Sequence, residues 1–292
     1  MKTLNYFFQA IFIYFLFLIG FILGLKISKK IFSNLFCVLG PIFRSNKIID
    51  KNLLIFKKNI SVLDSAKIKK EMWENYGKTF IEYIFLKKFR NSKDHVEIKG
   101  IENLNPSIQN KPVIFISGHF ANFELMSMEI TKKNINLATI YRPLNNFFLN
   151  PFMEYLRKKY VCKNQIKKGI GGVREAIEFI DKKHSIALMV DQRVSEGENV
   201  PFFRKPALTT TLPAQLSLKF NLPIIPVLIK RQKDDNFKIE FMKKISPENF
   251  SDKFQLSKRI NETLEELITK NPSQWIWTHN RWKQYNYFFF NA

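Results

Sequence analysis

The feature that most constrains this chain is an uninterrupted apolar segment near its N-terminus. Phe7–Leu25 reads FFQAIFIYFLFLIGFILGL and contains one amide, Gln9, and no charge. About 20 apolar residues span the hydrocarbon core of a bilayer. The segment is too long for the apolar part of a secretory signal peptide, and no small-x-small cleavage site follows it. We therefore predict a membrane-anchoring helix within residues 1–30. The alternative is a helix that enters one leaflet without crossing it.

The charges around this segment predict its orientation. Lys26, Lys29 and Lys30 follow it, against Lys2 and the α-amino group before it. Lysine and arginine are enriched on the cytoplasmic side of membrane helices, so we expect the body, residues 31–292, to lie in the cytoplasm. Two cysteines in 292 residues cannot form a disulfide framework, which agrees with a reducing compartment.

The net charge and the histidines narrow the function further. A formal charge of +22 favours an anionic partner: nucleic acid, anionic lipid, or an acidic protein or substrate. The four histidines are scattered and no CxxC is present, so we expect no metal site.

The body alternates between strand and helix patterns. Continuous apolar runs, typical of strands covered on both faces, alternate with segments that carry apolar residues at helical spacing. The predicted strands are HVEIKG (95–100), PVIFIS (112–117), NLATIY (136–141), SIALMVD (185–191), PIIPVLIK (223–230) and FKIEFMK (237–243). The fold class is therefore α/β, a mostly parallel central sheet flanked by helices, with the N-terminal anchoring helix in front.

Polar residues follow several of these strands. His119 comes after PVIFISG, Arg142 after LATIY, and Asp191-Gln192-Arg193 after IALMV; we also include the turn before PIIPV. In open α/β sheets the chemistry lies beyond the carboxyl ends of the strands. We expect these residues to converge.

The segment SGHFANFE, Ser117–Glu124, places a histidine directly after a buried strand and a carboxylate five positions later. A neutral imidazole held by a carboxylate is a general base near pH 7. With 25 acidic residues in the chain, this spacing also arises by chance. The alternative is a histidine bonded to a backbone carbonyl, with Glu124 on a solvated helix face. The two side chains can meet only if His119 lies in the strand-to-helix turn and Glu124 in the first helical turn.

Several blocks of sequence, in order, resemble the late acyltransferases of lipid A biosynthesis, within the glycerolipid acyltransferase superfamily. The resemblance runs from about Leu39 to Trp282. Its blocks are IKGIENL (98–104), GHFANFE (118–124), IYRPLNN (140–146), MVDQR (189–193), VPFFRKPALTTTLPA (200–214), NLPIIPVLI (221–229) and QWIWTHNRWK (274–283). Three residues depart from the usual pattern. Ala121 and Arg204 stand where the family has glycine, and Phe123 stands where it has tryptophan.

The resemblance implies roles for particular residues. His119 matches the catalytic base, Glu124 its carboxylate partner, and Arg142 an arginine associated with an anionic part of the substrate. Asp191, Gln192 and Arg193 would line the site, with Asn122 and Arg174 as further substrate-binding candidates. The family chemistry requires no metal or organic cofactor.

The resemblance also implies the reaction and its partners. Residues 31–292 would form an acyltransferase domain on the cytoplasmic face of the inner membrane. Its donor would be acyl-acyl carrier protein and its acceptor a hydroxyl of a lipid A precursor. The nearest alternative keeps this chemistry but acylates an ornithine-type aminolipid or a lysophospholipid. A basic nucleic-acid-binding protein is the alternative from another class, but it would need a recognition helix or a stacking motif on a basic face; the sequence has neither, so we expect no nucleic-acid partner. The intact His119 and Glu124 argue against an inactive scaffold.

Overall fold

The computed structural model describes residues 2–104 and 111–283. Strands and helices alternate through the body, as the sequence predicts. The helices are α1 Lys2–Phe43, α2 Asn46–Phe56, α3 Val62–Glu82, α4 Leu86–Asn91, α5 Glu124–Lys132, α6 Asn150–Leu156, α7 Ile170–Asp181, α8 Leu212–Phe220 and α9 Lys253–Lys270. The strands are β1 Val96–Lys99, β2 Ile114–Ser117, β3 Leu137–Tyr141, β4 Asn164–Lys167, β5 Ser185–Met189, β6 Glu198–Phe202, β7 Lys205–Thr209, β8 Ile224–Arg231 and β9 Phe237–Phe241.

Seven strands form one sheet in the order β1-β9-β8-β2-β5-β3-β4, and β6 and β7 form a separate hairpin. Strands β8, β2, β5, β3 and β4 run parallel, and β9 turns back antiparallel to β8. The predicted α/β class with a mostly parallel sheet is confirmed. The sequence patterns did not predict β4, β6 or β7. In the hairpin Pro201 lies opposite Pro206, and proline within a run argues against a strand.

The sheet is covered on both faces. Along β2, Ile114 and Ile116 belong to one apolar cluster and Phe115 to the other. This alternation follows from the strand period of two residues. It explains why the central strands are apolar throughout.

The N-terminal helix does not end near residue 30 but continues to Phe43, with a break at Gly24. Gly24 has φ of 74°, a left-handed conformation that glycine adopts without strain. The helix packs along α3, where a Cβ at Gly77 would collide with the carbonyl of Phe32. By length and composition α1 could cross a membrane. Its packing on α3 shows that its second half is part of the body.

Candidate active site

The site is built around the turn between β2 and α5. Strand β2 ends at Ser117 and α5 begins at Glu124, so His119 lies in the strand-to-helix turn and Glu124 in the first helical turn, as expected. The turn requires a left-handed residue, because Ala121 has φ of 42°. Such a conformation disfavours any residue with a Cβ. It fits the glycine that the resembled family pattern has at this position.

The carboxylate that holds the imidazole belongs to Asp191. Nδ1 of His119 lies 2.7 Å from Oδ1 of Asp191, and the backbone N–H of His119 donates to Oδ2 at 2.9 Å. A carboxylate only accepts, so the proton of the neutral imidazole sits on Nδ1 and Nε2 is the basic nitrogen. We expected Glu124 to accept the hydrogen bond of the imidazole, and this is wrong. The imidazole of His119 is hydrogen-bonded to Asp191. Ser117 pairs with Met189 across β2 and β5, and this register brings the residues two positions further on together.

Trp275 fixes the other side of the Asp191 carboxylate. Its indole N–H donates to Oδ2 at 2.7 Å, and the side chain is buried. The segment that carries Trp275 also contacts the turn between β2 and α5. Trp275 forms a β-bridge with Phe120, and the N–H of Ala121 donates to the carbonyl of Gln274. The QWIW segment therefore supplies a partner for Asp191.

Burial and charge set the protonation of this pair. Burial by itself raises the pKa of Asp191, but the charge and hydrogen bonds of His119 and the indole of Trp275 lower it to about 2. Burial by itself lowers the pKa of His119, but Asp191 and, more weakly, Glu124 raise it above its ordinary value. Asp191 therefore stays ionised at all physiological pH values. The imidazole becomes a stronger base than a free histidine.

Glu124 is held by a different set of partners. The hydroxyl of Tyr83 donates to its Oε1 at 2.5 Å, and Arg157 donates to the same oxygen from Nε at 2.8 Å. The Arg157 guanidinium lies between the rings of Tyr83 and Tyr141, 5.7 Å from each centroid. Glu124 and Arg157 act on His119 through their charges, since Glu124 raises and Arg157 lowers the pKa of His119. The sequence patterns did not single out Arg157 or Tyr83.

The last turn of α3 holds the turn between β2 and α5. Thr79 donates to the carbonyl of Ala121, and Glu82 accepts from the amide of Asn122 at 3.0 Å. Glu82 is fully buried and paired with Arg231 at 2.6 Å. Asn122, predicted to bind substrate, is 1% exposed and is engaged with this buried pair. Its position is that of a residue that fixes the turn.

The free face of the imidazole is bounded by Gln192 and Phe123. The Gln192 amide lies 3.5 Å from Nε2 of His119, and the Phe123 ring packs edge-on against the imidazole with centroids 4.6 Å apart. The His119 side chain retains 19% of its exposure. The imidazole is therefore partly accessible, with Gln192 beside Nε2.

Arg193 is positioned by His279. The backbone N–H of Arg193 donates to Nε2 of His279 at 2.8 Å. Burial lowers the pKa of His279 to about 4, so this ring stays neutral and can accept the hydrogen bond. Nε of Arg193 is buried, and within the described residues it has no hydrogen-bond partner.

The remaining candidates lie further out. Arg142 follows β3 and is exposed, with its guanidinium 3.5 Å from the side chain of Asn145. Arg174 is exposed on α7. Among residues 2–104 and 111–283, no hydrogen bond or ion pair joins either arginine to His119 or Asp191. Their predicted roles in substrate binding stay predictions.

The strand-end expectation is confirmed for β2 and β5 but wrong for the turn before β8. Because β8 runs parallel to β2, the turn that precedes it lies at the amino edge of the sheet. In the part of the chain that the structure describes, no three histidine, cysteine or acidic side chains are grouped so that they could hold a metal ion.

The fold and site define an α/β protein with an accessible imidazole, held by a buried carboxylate, at the carboxyl edge of a mostly parallel sheet. Residues 1–284 match the sequence model of a family described as bacterial lipid A biosynthesis acyltransferase. The chain belongs to this family. It is an acyltransferase by family, as the ordered blocks predicted.

Individual relatives agree with this assignment. The chain is 25% identical over 250 residues to a lipid A biosynthesis palmitoleoyltransferase of Escherichia coli strain K12, covering 82% of this chain and 79% of the relative. It is 23% identical over 193 residues to a lipid A biosynthesis acyltransferase of Haemophilus influenzae, covering 64% and 60%. A crystal structure of a 1-acyl-sn-glycerophosphate acyltransferase from Thermotoga maritima is similar with a TM-score of 0.43 and 16% identity, over 87% of this chain and all of that one.

Proposed function

We propose that this protein is a membrane-bound O-acyltransferase that moves a fatty acyl chain from acyl-acyl carrier protein to a hydroxyl of a lipid A precursor, with His119 as general base. The observation that carries the proposal is the 2.7 Å contact between Nδ1 of His119 and the buried Asp191 carboxylate. It leaves Nε2 as the proton acceptor on the accessible side. Family membership supplies the acyl transfer and the class of acceptor.

In the proposed reaction, Nε2 of His119 takes the proton from the acceptor hydroxyl as its oxygen attacks the thioester carbonyl carbon. A tetrahedral intermediate forms. It collapses as the carbon–sulfur bond breaks, and the thiolate leaving group takes the proton back from the imidazolium. The Asp191 carboxylate stabilises the imidazolium while it exists. The acceptor supplies the nucleophile, so the step needs no acyl-enzyme.

The basic charge fits both substrates. Acyl carrier protein is acidic, a lipid A precursor carries phosphates, and complementary charge speeds such encounters. With a net charge of +22 the body would also be attracted to anionic headgroups. We place it on the cytoplasmic face of the inner membrane, with residues 1–30 as the anchor and 31–292 as the catalytic domain.

The test compares His119→Ala with His184→Ala in membranes supplied with acyl-acyl carrier protein and lipid A precursor. The imidazole of His184 lies 3.1 Å from the carbonyl of Lys182, on an exposed part of the chain, and His184 serves as the matched control. We expect His119→Ala to lower kcat by about 10³-fold, within the range for loss of a general base, and His184→Ala to leave kcat unchanged. Transfer by His119→Ala at a near wild-type rate would remove the mechanism.

The acceptor is tested separately, by mass spectrometry of lipids from a deletion strain. Loss of one acyl chain from lipid A is the expected result. Loss from an ornithine-type aminolipid or from a phospholipid would instead keep the chemistry and reassign the acceptor.

A further inference from the structure

The N-terminal half of α1 has two faces that differ in what covers them. One stripe, at helical spacing, faces the body: Tyr6, Ala10, Ile13, Phe17 and Gly20, all buried or partly buried. The opposite stripe is apolar and between 49 and 73% exposed: Leu4, Phe8, Ile11, Phe15, Leu18 and Ile22. An exposed apolar surface of this extent on a folded protein marks a contact with lipid or with another protein.

Hydrogen bonds and ring contacts hold this half of α1 against the segment that follows Arg142. The Asn146 amide donates to the carbonyl of Tyr6 at 2.8 Å, and the Tyr14 hydroxyl donates to the carbonyl of Phe148 at 2.9 Å. Rings pair along the same line: Tyr6 with Phe147, Phe7 with Phe148, and Tyr14 and Phe17 with Phe152. The helix thus has the catalytic domain beside it from its first turns, and further along it packs on α3.

This packing conflicts with a helix that crosses the bilayer. From Tyr6 to Phe17 the helix rises about 16 Å, so a crossing would carry the adjoining residues 142–149 deep into the hydrocarbon or to its far side. Those residues form a loop that includes exposed Arg142 and Asn145, and irregular backbone exposed to lipid is not tolerated there. The loop also follows directly from β3, which is embedded in the central sheet.

We infer that the N-terminal half of α1 lies in a single leaflet, docked on the catalytic domain, and that its Leu4–Ile22 stripe contacts lipid while both ends of this half stay on the domain's side of the membrane. The inference rests on the proposed membrane location. Lys2, before the Leu4–Ile22 stripe, and Lys26 and Lys30, after it, are exposed and would meet anionic headgroups at both ends of the stripe. Phe147, 52% exposed beside Tyr6, extends the lipid-facing surface onto the domain.

The arrangement connects the membrane to the site. The segment that docks α1 runs through α6 into Arg157, whose guanidinium reaches Glu124 in the catalytic turn. This segment therefore connects the lipid-facing surface of the protein to the turn that carries His119 and Glu124.

The first experiment measures topology. Thr3→Cys and Ser251→Cys, both exposed positions, are introduced singly into a Cys37→Ser background, in which the remaining Cys162 is buried. A membrane-impermeant maleimide is applied to intact spheroplasts and to inside-out membrane vesicles. We expect both cysteines to react in the vesicles and neither in spheroplasts. Labelling of Thr3→Cys from the face opposite to Ser251→Cys would overturn the inference.

Other outcomes separate this inference from the proposed function. If both cysteines react only in spheroplasts, the cytoplasmic placement fails but the same-side docking of α1 stands. A second experiment tests docking directly, by oxidative cross-linking of Phe7→Cys with Phe148→Cys, against Phe12→Cys with Phe148→Cys. Phe7 and Phe148 have ring centroids 5.5 Å apart, whereas Phe12 is exposed. We expect the first pair to cross-link at least tenfold faster; equal rates would contradict docking.

Discussion

The carboxylates of Asp191 and Glu124 both act on His119, yet they are held by different parts of the chain. Asp191 contacts the imidazole directly and is fixed by Trp275 from the C-terminal segment. Glu124 lies five residues from His119 but is turned toward Tyr83 and Arg157. Nearness in sequence therefore does not decide which carboxylate orients the base. Adjacency of two parallel strands does.

The largest expected effect comes from replacing the carboxylate of Asp191, which contacts the imidazole directly. Asp191→Asn should lower kcat by about 10³-fold, because an amide can stabilise the wrong tautomer and no longer balances the imidazolium. It should also move the acid limb of the pH profile to lower pH, since Asp191 raises the pKa of His119.

Glu124→Gln is the matched comparison for Asp191→Asn. We expect it to move the acid limb in the same direction by a smaller amount, because its charge is a lesser cause of the raised pKa of His119. The measurement is kcat against pH for both variants. If Glu124→Gln lost more activity than Asp191→Asn, the orienting role would return to Glu124.

Arg157 should give a pH shift of the opposite sign. Its charge lowers the pKa of His119, so Arg157→Gln should move the acid limb to higher pH and lower kcat by roughly tenfold through the freed Glu124 carboxylate. Arg157→Lys keeps the charge but loses the guanidinium fork, and should keep the wild-type limb. If Arg157 served only folding, the acid limb of the pH profile would stay at its wild-type position in both variants.

Trp275→Phe removes one donor from Asp191 while keeping an aromatic ring in the core. A hydrogen bond to a charged group is worth about 1.5–3 kcal/mol, and we expect a roughly tenfold loss of kcat with little change in KM. Trp282→Phe is the control, because its indole N–H donates to the carbonyl of Phe202 instead. Equal losses in the two variants would mean that packing, and not the contact with Asp191, is responsible.

The smallest effect is expected at Ala121. Ala121→Gly should remove about 1–2 kcal/mol of backbone strain from the left-handed conformation. It should also add about 0.5–1 kcal/mol of entropy cost on folding. The free energy of unfolding should therefore rise by about 0.5 kcal/mol. The midpoint temperature of thermal unfolding, measured in detergent, should rise by about 1–2 °C. Arg204, with φ of 61° in the β6–β7 turn, offers a parallel test in a different turn. A fall in unfolding temperature for both glycine variants would contradict this account.

Several features of the fold and site were predictable because they depend on local pattern. The central strands follow from apolar runs, and the turn after β2 follows from SGHFANFE. The departures at Ala121 and Arg204 were visible as substitutions for glycine, but their cost appears only with the positive φ values. The hairpin strands β6 and β7 were not predicted from the sequence, because Pro201 and Pro206 weaken the strand pattern.

The sequence by itself determined the class of fold, the family and the place of His119 in the turn after β2, because apolar periodicity and ordered motifs are properties of neighbouring residues. The tertiary structure decided the partners. Asp191 meets His119 through the register of β2 and β5, Arg157 meets Glu124 from another element, and Asn146 meets Tyr6 across the domain. Contacts between residues distant in the chain depend on how the elements pack, and no local pattern records that.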